Sequence, residues 1–184
     1  MLSVISQNQS NLLKENLYTQ RLCLRYFTDS DAAFVVQLVN SPTWLQFIGD
    51  RKVSTTEDAI AYLQRSAYTS LAINGFCMVL VEEIATGKAI GMNGLFKRAD
   101  LAIADLGFAL LPEYEGKGFA AEASKAIIEL AFNRLDMNKL AAITDDTNTA
   151  CQKLLSKLGF LQKGLYESKE FAETLLYFEL AKAY

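Results

Sequence analysis

The chain reads as a single α/β layered domain, a mixed sheet with helices packed over it, and three features of the sequence predict that class. Segments with strand-like alternation are interleaved with segments of helical period along most of its length. A strand, a tight glycine turn and a long helix follow one another without a break over residues 105–131. No repeat, linker or low-complexity tract divides the 184 residues, a length that suits one domain with a substantial core. The predicted order is β-α-α-β-β-β-α-β-α-β-β.

Residues 1–16 are polar and irregular, which predicts a flexible arm ahead of one domain over 17–184. Arg21 to Phe27 alternates as a first strand, with Leu22, Leu24 and Tyr26 on one side. Asp29, Ser30 and Asp31 supply capping chemistry for a short helix that Ser41-Pro42 ends. Trp44, Leu45, Phe47 and Ile48 form an apolar cluster that suits either core or one wall of a substrate pocket. Thr55 to Asp58 resembles a capping box opening a helix over 57–70. Phe76 to Glu82 and Ala89 to Phe96 flank the turn signal Ala85 to Lys88, so they predict a β-hairpin. Gly91 and Gly94 in its second strand mark a bulge or a close backbone approach.

The apolar run Leu106, Phe108, Leu110 and Leu111 is the next strand, and Pro112 stops it because proline cannot donate to a ladder. Gly116 and Gly118 flank Lys117 and free the backbone to turn sharply. From Phe119 the period becomes helical, with Ala120, Ala123, Ile127, Leu130 and Ala131 on one face. Beyond it, Lys139 to Thr144 is a short strand and Thr149 to Leu158 a helix opened by Asn148 and closed by Gly159. Residues 160–167 and 174–181 then form a closing antiparallel pair.

A glycine turn that opens a helix aims free backbone N–H groups at one point, with the positive end of the helix dipole behind them. Phosphate is the natural guest of such a site. Gly116, Gly118 and Ala121 also spell the dinucleotide fingerprint G-x-G-x-x-A, which keeps an oxidoreductase open, although most of the chain precedes it. A phosphate loop is excluded, since no Gly-Lys-Ser/Thr occurs.

Composition narrows the partners. The net charge of −3 argues against nucleic acid or an anionic membrane as the main partner. No apolar run is long enough to span a bilayer, and the first residues lack signal-peptide character. Cys23, Cys77 and Cys151 are scattered without metal or redox spacing, which predicts reduced thiols in a cytoplasmic protein with no metal. The chain has no histidine, so any general base must be a carboxylate, tyrosine, thiolate, backbone group or water.

Two stretches resemble the GNAT superfamily of acetyl-CoA-dependent N-acetyltransferases. Glu115-Gly-Lys-Gly-Phe-Ala120 is similar to its Q/R-x-x-G-x-G/A signature except at the first position, and Asn148 to Phe160 resembles its N-x-x-S/A…K-x-G-F segment. The strand Thr19 to Arg25 further resembles the T-x-R-L-x-L-R start of the branch related to ribosomal-protein alanine acetyltransferases. The resemblance implies a GNAT-like mixed, mostly antiparallel, splayed sheet flanked by helices. It implies acetyl-CoA as cosubstrate, with its diphosphate on the backbone of Glu115, Gly116, Lys117, Gly118, Phe119 and Ala120. Ala109, Leu110 and Leu111 would pair with pantetheine amides, and Asn148 would bond the same arm or serve as a plain helix cap.

The implied reaction is attack of a primary amine, a small molecule or a protein N-terminus, on the thioester. Asp105, at the start of the central strand, is the candidate base, ahead of Glu82, Glu83 and Asp145. Leu155 stands where many superfamily members carry a tyrosine acid, which leaves Cys151 as a candidate donor and Tyr166 as a more distant one. Trp44, Phe47, Tyr62 and Tyr68 are candidate pocket residues. Glu115 replaces a basic or amide residue and is expected to turn to solvent. A non-catalytic CoA-binding module is the alternative, and both monomer and homodimer remain open.

Overall fold

The computed structural model describes residue 13, residues 15–168 and residues 173–183. Most of the expected arm lies outside the described residues. Leu13 does not behave as part of an arm: it is buried, and its N–H and C=O both bond the Tyr26 hydroxyl, at 2.9 and 3.1 Å.

A two-residue strand β1 (Leu17–Tyr18) precedes and pairs with β2 (Leu22–Arg25), so the first ladder begins earlier than the alternation predicts. Arg25 ends β2 by forking onto Asp31, at 2.8 Å to each oxygen, and by pairing with Glu82. Helix α1 (Ala32–Val39) follows, and then a helix that was not predicted, α2 (Pro42–Phe47). Pro42 does not merely end α1; it opens α2 at a first-turn position, where its missing N–H costs nothing. Trp44 is core, its indole N–H donating to Gly49 O at 3.1 Å.

Thr55 and Asp58 form the predicted capping box at the start of α3 (Thr56–Leu63). The helix predicted through Ser70 is interrupted by a π turn over Gln64–Tyr68 and resumes as α4 (Thr69–Asn74). The hairpin β3 (Met78–Glu83) and β4 (Lys88–Phe96) leads to β5 (Asp105–Leu110) and α5 (Phe119–Arg134). The chain closes with β6 (Lys139–Thr144), α6 (Thr149–Lys157), β7 (Leu161–Ser168) and β8 (Glu173–Ala181).

These strands form an eight-stranded sheet in the order β1-β2-β3-β4-β5-β6-β8-β7. Every neighbouring pair is antiparallel except β5 with β6. That pattern removes the dinucleotide-binding reading of G-x-G-x-x-A, which needs a run of parallel strands joined by helices. Helix α5 covers one face, tied to β4 by a buried Asn93–Ser124 hydrogen bond of 2.8 Å. On the other face, Tyr62 of α3, Ser66 and Ala67 of the π turn and Ser70 of α4 meet Met78, Met92 and Phe96 across a small pocket.

The glycines of β4 serve close approach. A Cβ on Gly91 would lie 2.3 Å from the Ala109 oxygen, and one on Gly94 would lie 2.3 Å from the Cys77 oxygen. A bulge is present as well. The register shifts between Val81, opposite Gly91, and Glu82, opposite Ala89, which leaves Ile90 as the extra residue. Gly91→Ala must therefore force β4 away from β5, and it is expected to cost about 1–3 kcal/mol. A urea midpoint equal to that of the parent would show that the pair tolerates the methyl group.

Candidate active site

The sheet opens at its centre. Strand β5 pairs with β4 along its whole length, from Asp105 opposite Phe96 to Leu110 opposite Gly91. Its other edge meets β6 in a single register pair, Asp105 with Ala141, beside the Ala141 N–H to Ala104 O bond of 2.9 Å. Along its opposite edge β6 pairs with β8 throughout, in six successive pairs from Lys139–Ala181 to Thr144–Leu176. Residues 106–110 therefore line a cleft whose apex is Asp105. Gly107, Phe108 and Ala109 are half-buried, whereas Leu110 and Leu111 are buried and Leu111 N–H bonds Ile90 O at 2.9 Å. Leu111 thus remains tied to β4 although the regular strand ends one residue before it.

At the mouth of the cleft the chain makes a 3₁₀ turn over Pro112–Tyr114 and then the predicted glycine turn. Gly116 and Gly118 both take positive φ, 71° and 82°, a conformation that a side chain resists. A Cβ at Gly116 would meet nothing within 4 Å, so no side chain plugs that part of the turn. Gly118 caps α5 without any side-chain cap bond, which leaves the first-turn amides near Phe119 and Ala120 as donors. Glu115, Lys117 and both glycines are exposed, Phe119 is buried and Ala120 half-buried. Glu115 faces solvent, as expected.

Two groups that sequence reasoning missed organise the ends of the cleft. Arg21, from the turn between β1 and β2, reaches the glycine turn and donates to Lys117 O at 3.0 Å. Its Nε and backbone N–H hold both oxygens of Glu122, at 2.7 and 2.8 Å, and the Thr19 hydroxyl adds a third donor at 2.6 Å. Burial opposes ionisation of Glu122, yet these donors outweigh it and hold the carboxyl below the usual glutamate range. At the apex, Asp105 is 1% exposed and accepts from Arg98 Nε at 3.1 Å. Asp105 is thus ion-paired with Arg98 at the position where the cleft closes.

The remaining candidates divide. Asn148 is a helix cap, its carbonyl oxygen accepting the Cys151 N–H at 3.0 Å. Burial pushes the Cys151 thiol up, with a bond to Thr144 working the other way, so it stays a protonated thiol at neutral pH. Tyr166, from β7, donates to Asp100 at 2.6 Å. Burial and that carboxylate push the phenol to about 12, so it too keeps its proton. Glu82 is occupied by Arg25, Glu83 accepts from Thr86, and Asp145 accepts the Thr147 amide in a turn ahead of α6. Each of these three carboxylates thus has a partner within the fold.

The pocket above β4 includes Tyr62 but not Trp44, Phe47 or Tyr68; its other walls include Phe27, Ser66, Met78, Met92 and Phe96. Tyr68 instead bonds Asp29 at 3.0 Å. A Cβ on Gly107 would lie 2.8 Å from the Phe96 ring, and Arg98 stands 5.5 Å above that ring, so Phe96 links the pocket to the Asp105 apex. Among the described residues no group of three His, Cys, Asp or Glu side chains is placed to hold a metal ion. No helix among them is long and apolar enough to cross a membrane.

Comparison with known proteins agrees with this geometry. The family model described as an acetyltransferase (GNAT) domain matches residues 21–161. The uncharacterized N-acetyltransferase p20 of Bacillus licheniformis is 31% identical over 163 residues, covering 86% of this chain and 89% of that protein. The ribosomal-protein-S5-alanine acetyltransferase of Vibrio fischeri shares the fold with a TM-score of 0.73 at 18% identity, over 91% of this chain and 97% of that one. A ribosomal L7/L12 alpha-N-protein acetyltransferase in complex with coenzyme A superposes with a TM-score of 0.77 at 18% identity, over 91% of this chain and 98% of that one.

Because Glu115 points to solvent while the donors of the turn are main-chain groups, Glu115→Arg is expected to leave coenzyme A affinity unchanged or to tighten it. A clear weakening in a calorimetric titration would reveal a positive role for the carboxylate.

Proposed function

The chain belongs to the GNAT acetyltransferase family, and on that premise we propose which of its residues hold acetyl-CoA and what kind of amine it acetylates. Membership establishes an acetyl-CoA-dependent N-acetyltransferase acting on an amine acceptor. The observation that carries the finer reading is the free edge of β5, which runs from an open glycine turn to a buried carboxylate. In this reading the diphosphate lies on the amides from Gly116 to Ala120, and the pantetheine amides pair with Ala109 to Leu111 as an added strand would. Asn148 stays a cap, its amide N–H groups facing the same arm. The thioester then reaches the apex beside Asp105.

The acceptor we propose is an α-amino group carrying a small or apolar side chain, as at a peptide N-terminus. Aromatic rings, methionines and serine hydroxyls, with no carboxylate, line the pocket next to Phe96, which supports a neutral guest over a polycation. An α-amine near pKa ~8 also supplies far more neutral nucleophile at pH 7 than an alkylamine near ~10. The nitrogen attacks the thioester carbon and loses its proton to Asp105, directly or through water. The tetrahedral intermediate expels the CoA sulfur, which takes a proton from Cys151 or Tyr166, both held protonated. A cytoplasmic setting fits three free cysteines.

Release of free thiol from acetyl-CoA, followed across a panel of short peptides and polyamines, tests the acceptor. Peptides with small N-terminal residues are expected to be turned over and spermidine poorly; the reverse order would refute the acceptor class, and thiol release with no amine at all would favour a module that has lost its chemistry. Asp105→Asn is expected to lower turnover by ~10²-fold or more and flatten the acidic limb of the pH profile; unchanged turnover at every pH would remove Asp105 as base. Gly118→Val, which strains the positive φ and fills the turn, is expected to weaken coenzyme A at least ~10-fold by calorimetry.

A further inference from the structure

Arg21 lies 97 residues ahead of Gly118 in the sequence yet lies against it in space. Its Nη1 donates to the Lys117 carbonyl at 3.0 Å, and its guanidinium carbon stands 4.4 Å over the Phe119 ring. Its Nη2 is 3.4 Å from the point a Cβ of Gly118 would occupy. Among the described residues no hydrogen bond occupies that Nη2. Nε is held by Glu122, which Thr19 and the Arg21 backbone also clamp, so the planar fork has one orientation.

A trans peptide is planar, with its C=O and N–H pointing in opposite directions. By drawing the Lys117 carbonyl toward itself, Arg21 aims the Gly118 N–H to the other side of the turn. Two residues earlier in the same turn, a Cβ on Gly116 would meet nothing within 4 Å. The guanidinium also neutralises Glu122 in the first turn of α5, a carboxylate that would otherwise repel an anion there, and Glu115 beside the turn carries the same unfavourable sign.

From this juxtaposition we infer that Arg21 is a positioning residue for the diphosphate of coenzyme A: it orients the Lys117–Gly118 peptide and, by pairing with Glu122, offsets that carboxylate beside the start of the helix. The inference rests on the glycine turn being the diphosphate site, as proposed above. Its role is electrostatic, so it acts on the phosphate end of the ligand and not on the pantetheine end.

The test compares binding of coenzyme A with binding of pantetheine, which lacks the diphosphate, the latter titrated at millimolar concentration. Arg21→Ala is expected to weaken coenzyme A ~10-fold, the scale of one charge-assisted hydrogen bond, and to leave pantetheine within ~2-fold. Arg21→Lys keeps the charge without the fork; it is expected to recover part of the loss, and it carries the test if the alanine variant does not fold. An equal weakening of both ligands would show that Arg21 only holds the fold together, and no weakening of either would also overturn the inference. Gly118→Val separates the two readings. If it weakens coenzyme A selectively while Arg21→Ala does not, the turn is the diphosphate site and Arg21 is incidental; if neither is selective, the site itself is misplaced.

Discussion

A strand in the middle of a sheet normally spends both of its edges on neighbours, because a buried amide without a partner is expensive. Here β5 spends only one. Its partnership with β6 ends at Asp105–Ala141, where the two strands part, while β6 stays paired with β8 along its other edge over residues 139–144. The parting places a row of donors and acceptors in the interior of the domain without a strand to fill them. A ligand arm built from amides satisfies that row, and an arm of hydrocarbon alone would not. The glycine turn follows the same strand, so in the proposed reading one backbone irregularity relates the phosphate end of such a ligand to its reactive end. The bulge at Ile90 and the close packing at Gly91 brace β4 behind it, which keeps the open strand from drifting across the gap.

The sequence made most of this architecture legible where local chemistry decides the outcome. The turn at Gly116 to Gly118, the boundaries of Lys139–Thr144, the Asn148 cap and the Thr55–Asp58 capping box all depend on residues within a few positions of one another. Features governed by distant partners were not legible. The π turn at Gln64–Tyr68 has no period of its own, and Ser66 and Thr69, bonding back to Tyr62 and Gln64, look like ordinary helix residues in the sequence. Helix α2 was missed because Ser41-Pro42 ends one helix and begins another with the same two residues. Arg21 was read as the start of a strand, although the Thr19-x-Arg21 spacing lets side chain, backbone and hydroxyl converge on one carboxylate. Only the fold brings Glu122 to that point.

The same limit applies to the candidate catalytic residues. Asp105 was chosen from its place at the head of the strand, and the fold does put it at the apex. Its neutralisation by Arg98, seven residues earlier in the chain, depends on how residues 97–104 return to the sheet. Likewise Tyr166 comes to Asp100 only because β7 is the last strand of the sheet and its side chain reaches back to that loop.

A site without histidine has a distinct proton economy. The thiol of Cys151 and the phenol of Tyr166 are both pushed upward, so neither accepts a proton near neutral pH and both remain able to give one. The carboxylate at the apex, Asp105, is already balanced by Arg98. Such a site cannot rely on a strong base to deprotonate a reluctant amine. It gains more from a nucleophile that is partly neutral before it binds, and from holding that nucleophile against a thioester whose two ends are fixed by one strand. The apolar pocket beside Phe96 works in the same direction, because desolvation favours the uncharged amine over the ammonium ion. In the reading proposed above, alignment and desolvation would carry the work that an imidazole performs elsewhere.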